Sequence, residues 1–210
     1  PNTGDYVVNG TKTWISNAPV SDVATVLCVT DKGKGTRGIS RILVEREVSP
    51  YESRELHKLG LRAFPTGELV FQDCRVPREN LLDEGLGYKR TLIGFEVARS
   101  ILALISVGIA QAALNASVNY ARERRQFGKP IGAFQLVQAM IVDMYADTEA
   151  ARLLSYRALQ KIEQGVRAST ESSLAKAFAT EAAVGVTSKG IQIHGALGLS
   201  DEYPMERYFR

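Results

Sequence analysis

Residues 120–131 read Tyr-Ala-Arg-Glu-Arg-Arg-Gln-Phe-Gly-Lys-Pro-Ile, three arginines and an aromatic crowded against a helix stop. A guanidinium forks onto the oxygens of a pyrophosphate, and an aromatic ring covers an adenine or a ribose. Arg124, with Phe127 three residues later and just before Gly128, is therefore a candidate grip on a flat anionic ligand. The same residues also describe an ordinary solvated helix terminus, where Arg122, Arg124 and Arg125 suit the dipole. Both readings stand on this stretch alone.

Four other places invite chemistry. Arg99 sits among Ile, Leu, Ala and Ser with Glu96 three residues earlier. A buried guanidinium needs a partner, so either Glu96 and Arg99 pair to clamp two helices, or the arginine orders a carboxylate or a ligand. Trp14, the single tryptophan, is either core filler or a flat wall against a fused ring, with Ser16 placed to donate a hydrogen bond to a ring nitrogen. His194 lacks a neighbouring carboxylate to orient it as a base. Asp143 and Asp147 share a helix face, but the Glu-x-x-His pairs of a di-metal bundle are missing, which leaves a solvated acidic face and no metal site. GxGxxG, GxxxxGK[ST] and GxSxG are absent, so dinucleotide-fingerprint, P-loop and hydrolase readings lose their cheapest support.

These residues must be positioned by two different kinds of sequence. Up to about residue 84, short β-prone runs alternate with Gly and Pro turns. Asn9-Gly10 signals a hairpin, and strands are predicted at Val23–Val29, Ile39–Val44, Ser53–Leu56 and Leu69–Cys74, with turns at Asp31–Gly38 and Leu59–Gly67 and a connector over Leu82–Gly87. After it the period becomes 3.6. Helices are predicted over residues 89–125, with Leu92, Phe95, Leu102, Ile105, Ile109, Ala112 and Ala116 as the face and Ala98, Ala103, Ser106, Gly108 and Ala113 as further small residues that let neighbouring backbones come close, over 133–163 with a stop at Gly165, and over 170–192 with Thr170 as cap. The expectation is an α+β chain: a barrel-like antiparallel β-domain over 1–84, then an up-down four-helix bundle over 85–210 with three long helices present and a fourth after Arg210. Both ends, Pro1 and Arg210, read as cut.

Composition limits the rest. The 210 residues are 45% hydrophobic and 23% charged, enough to fill a core. A net charge of +3 and a pI near 8.9, with acidic residues interspersed, is no nucleic-acid footprint. Apolar stretches are interrupted by Arg, Glu or Asn, so no membrane span is expected. Cys28 and Cys74 lack CxxC spacing; free thiols in a reducing compartment are expected, with one disulfide as the alternative.

Trp14-Ile-Ser-Asn17, Lys58-Leu-Gly-Leu-Arg62 with Thr66-Gly-Glu-Leu69, Val76-Pro77, Glu96-Val-Ala-Arg99, the 120–131 block, Phe134-Gln135, Gln192-Ile-His-Gly195 and the final Glu202–Arg210 run resemble, in order and spacing, the acyl-CoA dehydrogenase family. The resemblance covers essentially the whole chain, which is similar to the second part of that family's middle β-domain followed by most of its C-terminal bundle.

The resemblance implies FAD, an acyl-CoA thioester substrate, an electron-transferring flavoprotein as acceptor and a homotetramer built as a dimer of dimers. It implies a cytoplasmic location in a bacterium, the preferred reading, or the mitochondrial matrix in a eukaryote. Trp14 and Ile15 would flank the isoalloxazine and Ser16 would bond near flavin N5. Arg124 and Phe127 would reach the pyrophosphate and adenosine of a neighbouring subunit's FAD, with Gln135, Gln192 and Gly195 around the same cofactor. Phe95, Glu96 and Arg99 would line the CoA and acyl pocket, Arg99 supporting the catalytic carboxylate. That carboxylate takes the α-proton as hydride leaves the β-carbon, giving a trans-2-enoyl-CoA. The isovaleryl branch carries it where this chain has Ala98, and the commoner branch carries it beyond the point matching Arg210. Two departures stand out: Ala196-Leu197 where a second glycine and a small or polar residue are usual, and Ser16 in place of threonine. Relatives that keep the scaffold as acyl-CoA oxidases, nitroalkane oxidases or non-catalytic FAD binders are the alternatives.

Overall fold

In a computed structural model, residues 4–210 are described. They form two compact units, divided between Leu92 and Ile93.

The first unit holds β1 (Tyr6–Ser16), β2 (Val23–Val29), β3 (Ile39–Glu45), β4 (Glu52–Glu55), β5 (Thr66–Val76) and β6 (Leu81–Asp83). They make two antiparallel sheets, ordered β1-β5-β4 and β2-β3-β6. The sheets are not closed into the expected barrel, since β1 and β2 each remain an edge. Alternation packs Val8, Val26, Ile42, Val44, Leu69, Phe71 and Val76 into one core. Asn9-Gly10 makes no hairpin. β1 runs straight through it, and the register shifts there against β5. Gly10 takes φ +140°, while the Asn9 side chain accepts from Asp73 N (2.7 Å) and donates to Asp73 Oδ1 (3.1 Å). The pair is a β-bulge stapled across the sheet. β6, read from sequence as a connector, pairs with β3, and its Asp83 carboxylate is buried against the Arg41 and Arg90 guanidiniums. Cys28 and Cys74 are free thiols.

The long helix α1 (Gly87–Glu123) runs on into the second unit. There follow β7 (Arg125–Gln126), β8 (Lys129–Pro130), α2 (Gln135–Glu163), α3 (Ser169–His194) and the short α4 (Met205–Phe209). The predicted face of α1 is buried at its small residues Ala103, Ser106 and Ala113 and not at its large ones. Phe95, Leu102 and Ile105 are exposed, whereas Ala103, Val107, Ala110, Leu114, Ser117 and Ala121 are buried at spacings of three and four. These buried positions of α1 are mostly Ala and Ser, and the helix backbones in close contact are those of α2 and α3. α2 answers with Met144, Thr148, Ala151, Ser155 and Ala158, and α3 with Ala175, Ala179, Ala183 and Gly190. The buried hydroxyls of Thr148 and Ser155 bond back one turn, to Met144 O at 2.7 Å and to Ala151 O at 2.7 Å, whereas the Ser117 hydroxyl is buried without a partner among the described residues.

The same helix corrects a second expectation. Residues 100–121 contain no Asp, Glu, Lys or Arg, and α1 is long and apolar enough, by length and composition, to cross a membrane. Asn115 does not interrupt that stretch as a charge would. Its buried small-residue seam against the second unit's core is the feature a core helix shares with such a span.

Candidate cofactor and substrate site

In the first unit, Trp14 stands at φ +59°, inside a register shift between Lys12 and Ile15. The left-handed region costs a non-glycine residue roughly 1–2 kcal/mol. What the strain gives is an indole turned out of the sheet, 65% exposed. Ile15 and Ser16 resume the ladder opposite Gly67 and Thr66.

In the second unit, α1 ends at a hairpin. Arg125 pairs with Pro130 and Gln126 with Lys129, leaving Phe127 and Gly128 as a two-residue turn with φ +51° and +79°. Two positive values are what a primed hairpin turn demands, and glycine or asparagine fill it without strain. Phenylalanine does not, yet the ring stands at the tip, 90% exposed and edge-on to Phe134 with the ring centres 6.2 Å apart. Behind the tip, Ile131 N donates to Arg124 O (2.8 Å), and Gly132 passes so close that a Cβ would lie 3.0 Å from Ala121 O. Gln135 opens α2, exposed, immediately after.

The other wall is the end of α3. Gly195 ends it with φ +62° and ψ −139°, a conformation open essentially to glycine alone. A short 3-10 turn follows, in which Gly198 fits against Ile191, its would-be Cβ 2.6 Å from Ile191 O. Between the two walls lies a depression of about 290 Å³ lined by Arg124, Gln126, Gln192, His194 and Gly195 among others. Its described lining offers guanidinium and amide donors and no carboxylate, a donor set that fits an anion such as a pyrophosphate. Sequence reasoning named Arg124, Gln192 and Gly195 separately; it missed Gln126, whose signal was the Phe-Gly turn that sets the hairpin register.

Arg99 and Glu96 do not pair. Glu96 is buried, and its carboxylate accepts from Ala168 N (2.9 Å) and the Ser169 hydroxyl and faces Arg167 at 3.4 Å. The Ser169 hydroxyl first, then the Ala168 N–H, with Arg167 helping, hold its pKa below the usual carboxylate range. Thr170 is therefore not the cap of α3; the cap is carried in from α1. Arg99 is half-buried, with its guanidinium 5.7 Å from the centre of the Phe95 ring. Asp143 and Asp147 both face Lys189, at 3.1 and 3.7 Å, as structural ion pairs. Phe127 and Gln135 lie outside the depression's lining, and Trp14, Ile15 and Ser16 belong to the other unit.

The middle-domain model of acyl-CoA dehydrogenases matches residues 1–74, and the C-terminal-domain model matches residues 85–210. The chain belongs to the acyl-CoA dehydrogenase family of FAD flavoproteins. Among curated relatives, the glutaryl-CoA dehydrogenase of Desulfococcus multivorans is 42% identical over 211 residues, covering 99% of this chain and 54% of that protein. The CarC subunit of the caffeyl-CoA reductase-Etf complex of Acetobacterium woodii is 40% identical over 99% of this chain and 55% of its own. The butyryl-CoA dehydrogenase structure from Megasphaera elsdenii superposes with a TM-score of 0.94 at 37% identity, covering 100% of this chain and 55% of that one. The chain thus spans about half the length of the curated relatives it matches.

Proposed function

We propose that the whole protein is a FAD-dependent acyl-CoA dehydrogenase that introduces a trans double bond between the α and β carbons of an acyl-CoA thioester. The observation that carries this reading is the convergence of Arg124, Gln192 and Gly195, from two helix ends, on one depression with no described carboxylate in its lining. Arg124, with Gln192, would hold the pyrophosphate of a neighbouring subunit's FAD by charge and amide hydrogen bonds, and Phe127 would cover its adenosine. Gln135 lies beside the same cofactor. Trp14 and Ile15 would wall the isoalloxazine of an FAD, with the Ser16 hydroxyl available to donate to its ring.

FAD supplies, when bound, the acceptor for the hydride leaving the substrate β-carbon. Phe95 lines the acyl side. Arg99 supports the carboxylate that takes the α-proton, its cation favouring the charged form that can act as a base. Glu96 acts there through the position it gives α1, since both of its oxygens are engaged by the start of α3. Ala98 stands where the isovaleryl branch has its base, and a methyl group accepts no proton, so the base is a residue other than Ala98.

The caffeyl-CoA relative is named as part of an Etf complex, which supports an electron-transferring flavoprotein as acceptor. We assign a homotetramer, in keeping with grips on a neighbouring subunit's cofactor, and a cytoplasmic location. A second reading, an oxidase on the same scaffold, is favoured by the prolyl acyl carrier protein oxidase AnaB, at TM-score 0.94 but only 29% identity. Assaying enoyl-CoA formation by the full-length protein with each acceptor decides between them. Turnover with an electron-transferring flavoprotein and slow reoxidation in air supports the dehydrogenase; rapid dioxygen consumption at the same rate contradicts it.

A further inference from the structure

Two residues of the depression's lining, Tyr120 and His194, belong to a buried aromatic cluster to which the FAD reading gives no role. His194, the last residue of α3, is 3% exposed. Its ring lies 4.3 Å from that of Tyr120 with the planes 24° apart. Tyr203 closes the group edge-on to Tyr120 at 5.3 Å and 84°, and 5.4 Å from His194. The Tyr120 hydroxyl donates to His194 O at 3.5 Å. His194 Nδ1 lies 2.8 Å from Gly190 O, one turn earlier. A carbonyl only accepts, so Nδ1 carries the proton and the neutral ring's lone pair is on Nε2, which is buried without a partner.

The position of this stack matters more than its strength. Tyr120 precedes Arg124 by one helical turn, and His194 stands between Gln192 and Gly195. The stack therefore fastens together the two stretches of chain that wall the depression. We propose that His194 is a positioning residue: neutral and stacked on Tyr120, it holds the Gln192–Gly195 turn against the Arg124 turn so that both address one pyrophosphate. The inference rests on the FAD reading given above.

A second proton on the ring would sit on Nε2, a cation buried with no acceptor. Burial already holds the His194 pKa below the ordinary histidine value, with the Gly190 hydrogen bond opposing it in part. The titratable groups of this cluster are Tyr120 from α1, Tyr203 before α4 and Tyr208 within α4, while α2 contributes Met140, Ile141 and Met144. The charge on the depression's described lining is Arg124, which also disfavours a second cation. Among the described residues of the cluster and the lining, no carboxylate offsets it. Acidification therefore destabilises the stacked arrangement: a histidine whose folded pKa is depressed holds its stabilisation above about pH 6.5 and loses it as the pH falls below.

The test compares FAD dissociation constants of the full-length protein and two variants between about pH 7.5 and pH 5.5. His194→Phe keeps a ring on Tyr120 and cannot titrate; His194→Ala removes the ring. We expect wild type to bind FAD about tenfold more weakly at the acid end. His194→Phe should bind within about threefold of wild type at the upper pH and stay flat. His194→Ala should be weakened at both pH values with its far-ultraviolet dichroism unchanged. The thermal midpoint of the FAD-free full-length proteins is read in parallel, and wild type should fall relative to His194→Phe below about pH 6.5. An acid loss of FAD in His194→Phe equal to that of wild type overturns the proposal, as does wild-type affinity in His194→Ala. A wild type that binds no FAD at the upper pH, while its FAD-free midpoint still shows the histidine's pH dependence, places the failure in the FAD reading.

Discussion

The Glu96 carboxylate accepts the backbone N–H of Ala168 at 2.9 Å, joining the first part of α1 to the start of α3 across 72 residues of sequence. The first N–H groups of a helix lack partners within it, and a neighbouring acid is an unusual but effective source of one. Replacing Glu96 with Gln keeps the shape and removes the charge. We expect a loss of about 1–2 kcal/mol in urea unfolding at neutral pH and retained flavin reduction. Because the folded-state pKa is depressed, this stabilisation is complete above the ordinary carboxylate value of about 4.3 and is lost as the pH falls through the folded value. Wild type and Glu96→Gln should therefore converge in stability toward pH 3. A constant difference down to that pH contradicts the assignment.

Phe127 is strained and exposed at once, the pattern of a residue kept for what it touches. Phe127→Gly should raise stability, the roughly 1 kcal/mol of left-handed strain outweighing what an exposed ring contributes. The same variant should release FAD more readily in gel filtration. Arg124→Ala, also at an exposed position, should leave the melting point unchanged while lowering flavin content further. Unaltered flavin content in both variants would remove these residues from the cofactor site.

How much of this was legible depended on the range of the interaction. Val23–Val29 was read residue for residue because alternation and flanking turns are local signals, and the stop at Gly165 was equally plain. Asn9-Gly10 misled because a bulge and a hairpin use the same two residues, and only the Asp73 staple, 64 positions away, distinguishes them. Leu81–Asp83 became a strand through β3, not through its own propensity. On α1 the small residues Ala103, Ser106 and Ala113 were legible as a packing face, but Phe95, Leu102 and Ile105, read with them, are exposed. For the site, the spacing of Arg124, Phe127 and Gly128 singled out Arg124 and the family resemblance added Gln192 and Gly195, but their meeting in one depression is tertiary. The aromatic stack with Tyr120, which gives His194 a place, left no local trace.

Arg99 lies on a face with exposed Phe95 and Leu102, its guanidinium over the Phe95 ring and in no ion pair among the described residues. A cation left free of a protein carboxylate is available to one brought by the complete site. Arg99→Gln should slow flavin reduction by at least about tenfold, or about 1.4 kcal/mol of barrier, with FAD content unchanged. Stopped-flow absorbance measures it, and equal reduction rates would end that role.

The most direct test of the whole account is the flavin spectrum of the purified full-length protein during anaerobic titration with a series of acyl-CoA thioesters. The account predicts a yellow protein whose absorbance near about 450 nm is bleached by at least one acyl-CoA. A colourless protein that takes up no FAD, or a flavin band that every acyl-CoA leaves intact, would contradict it.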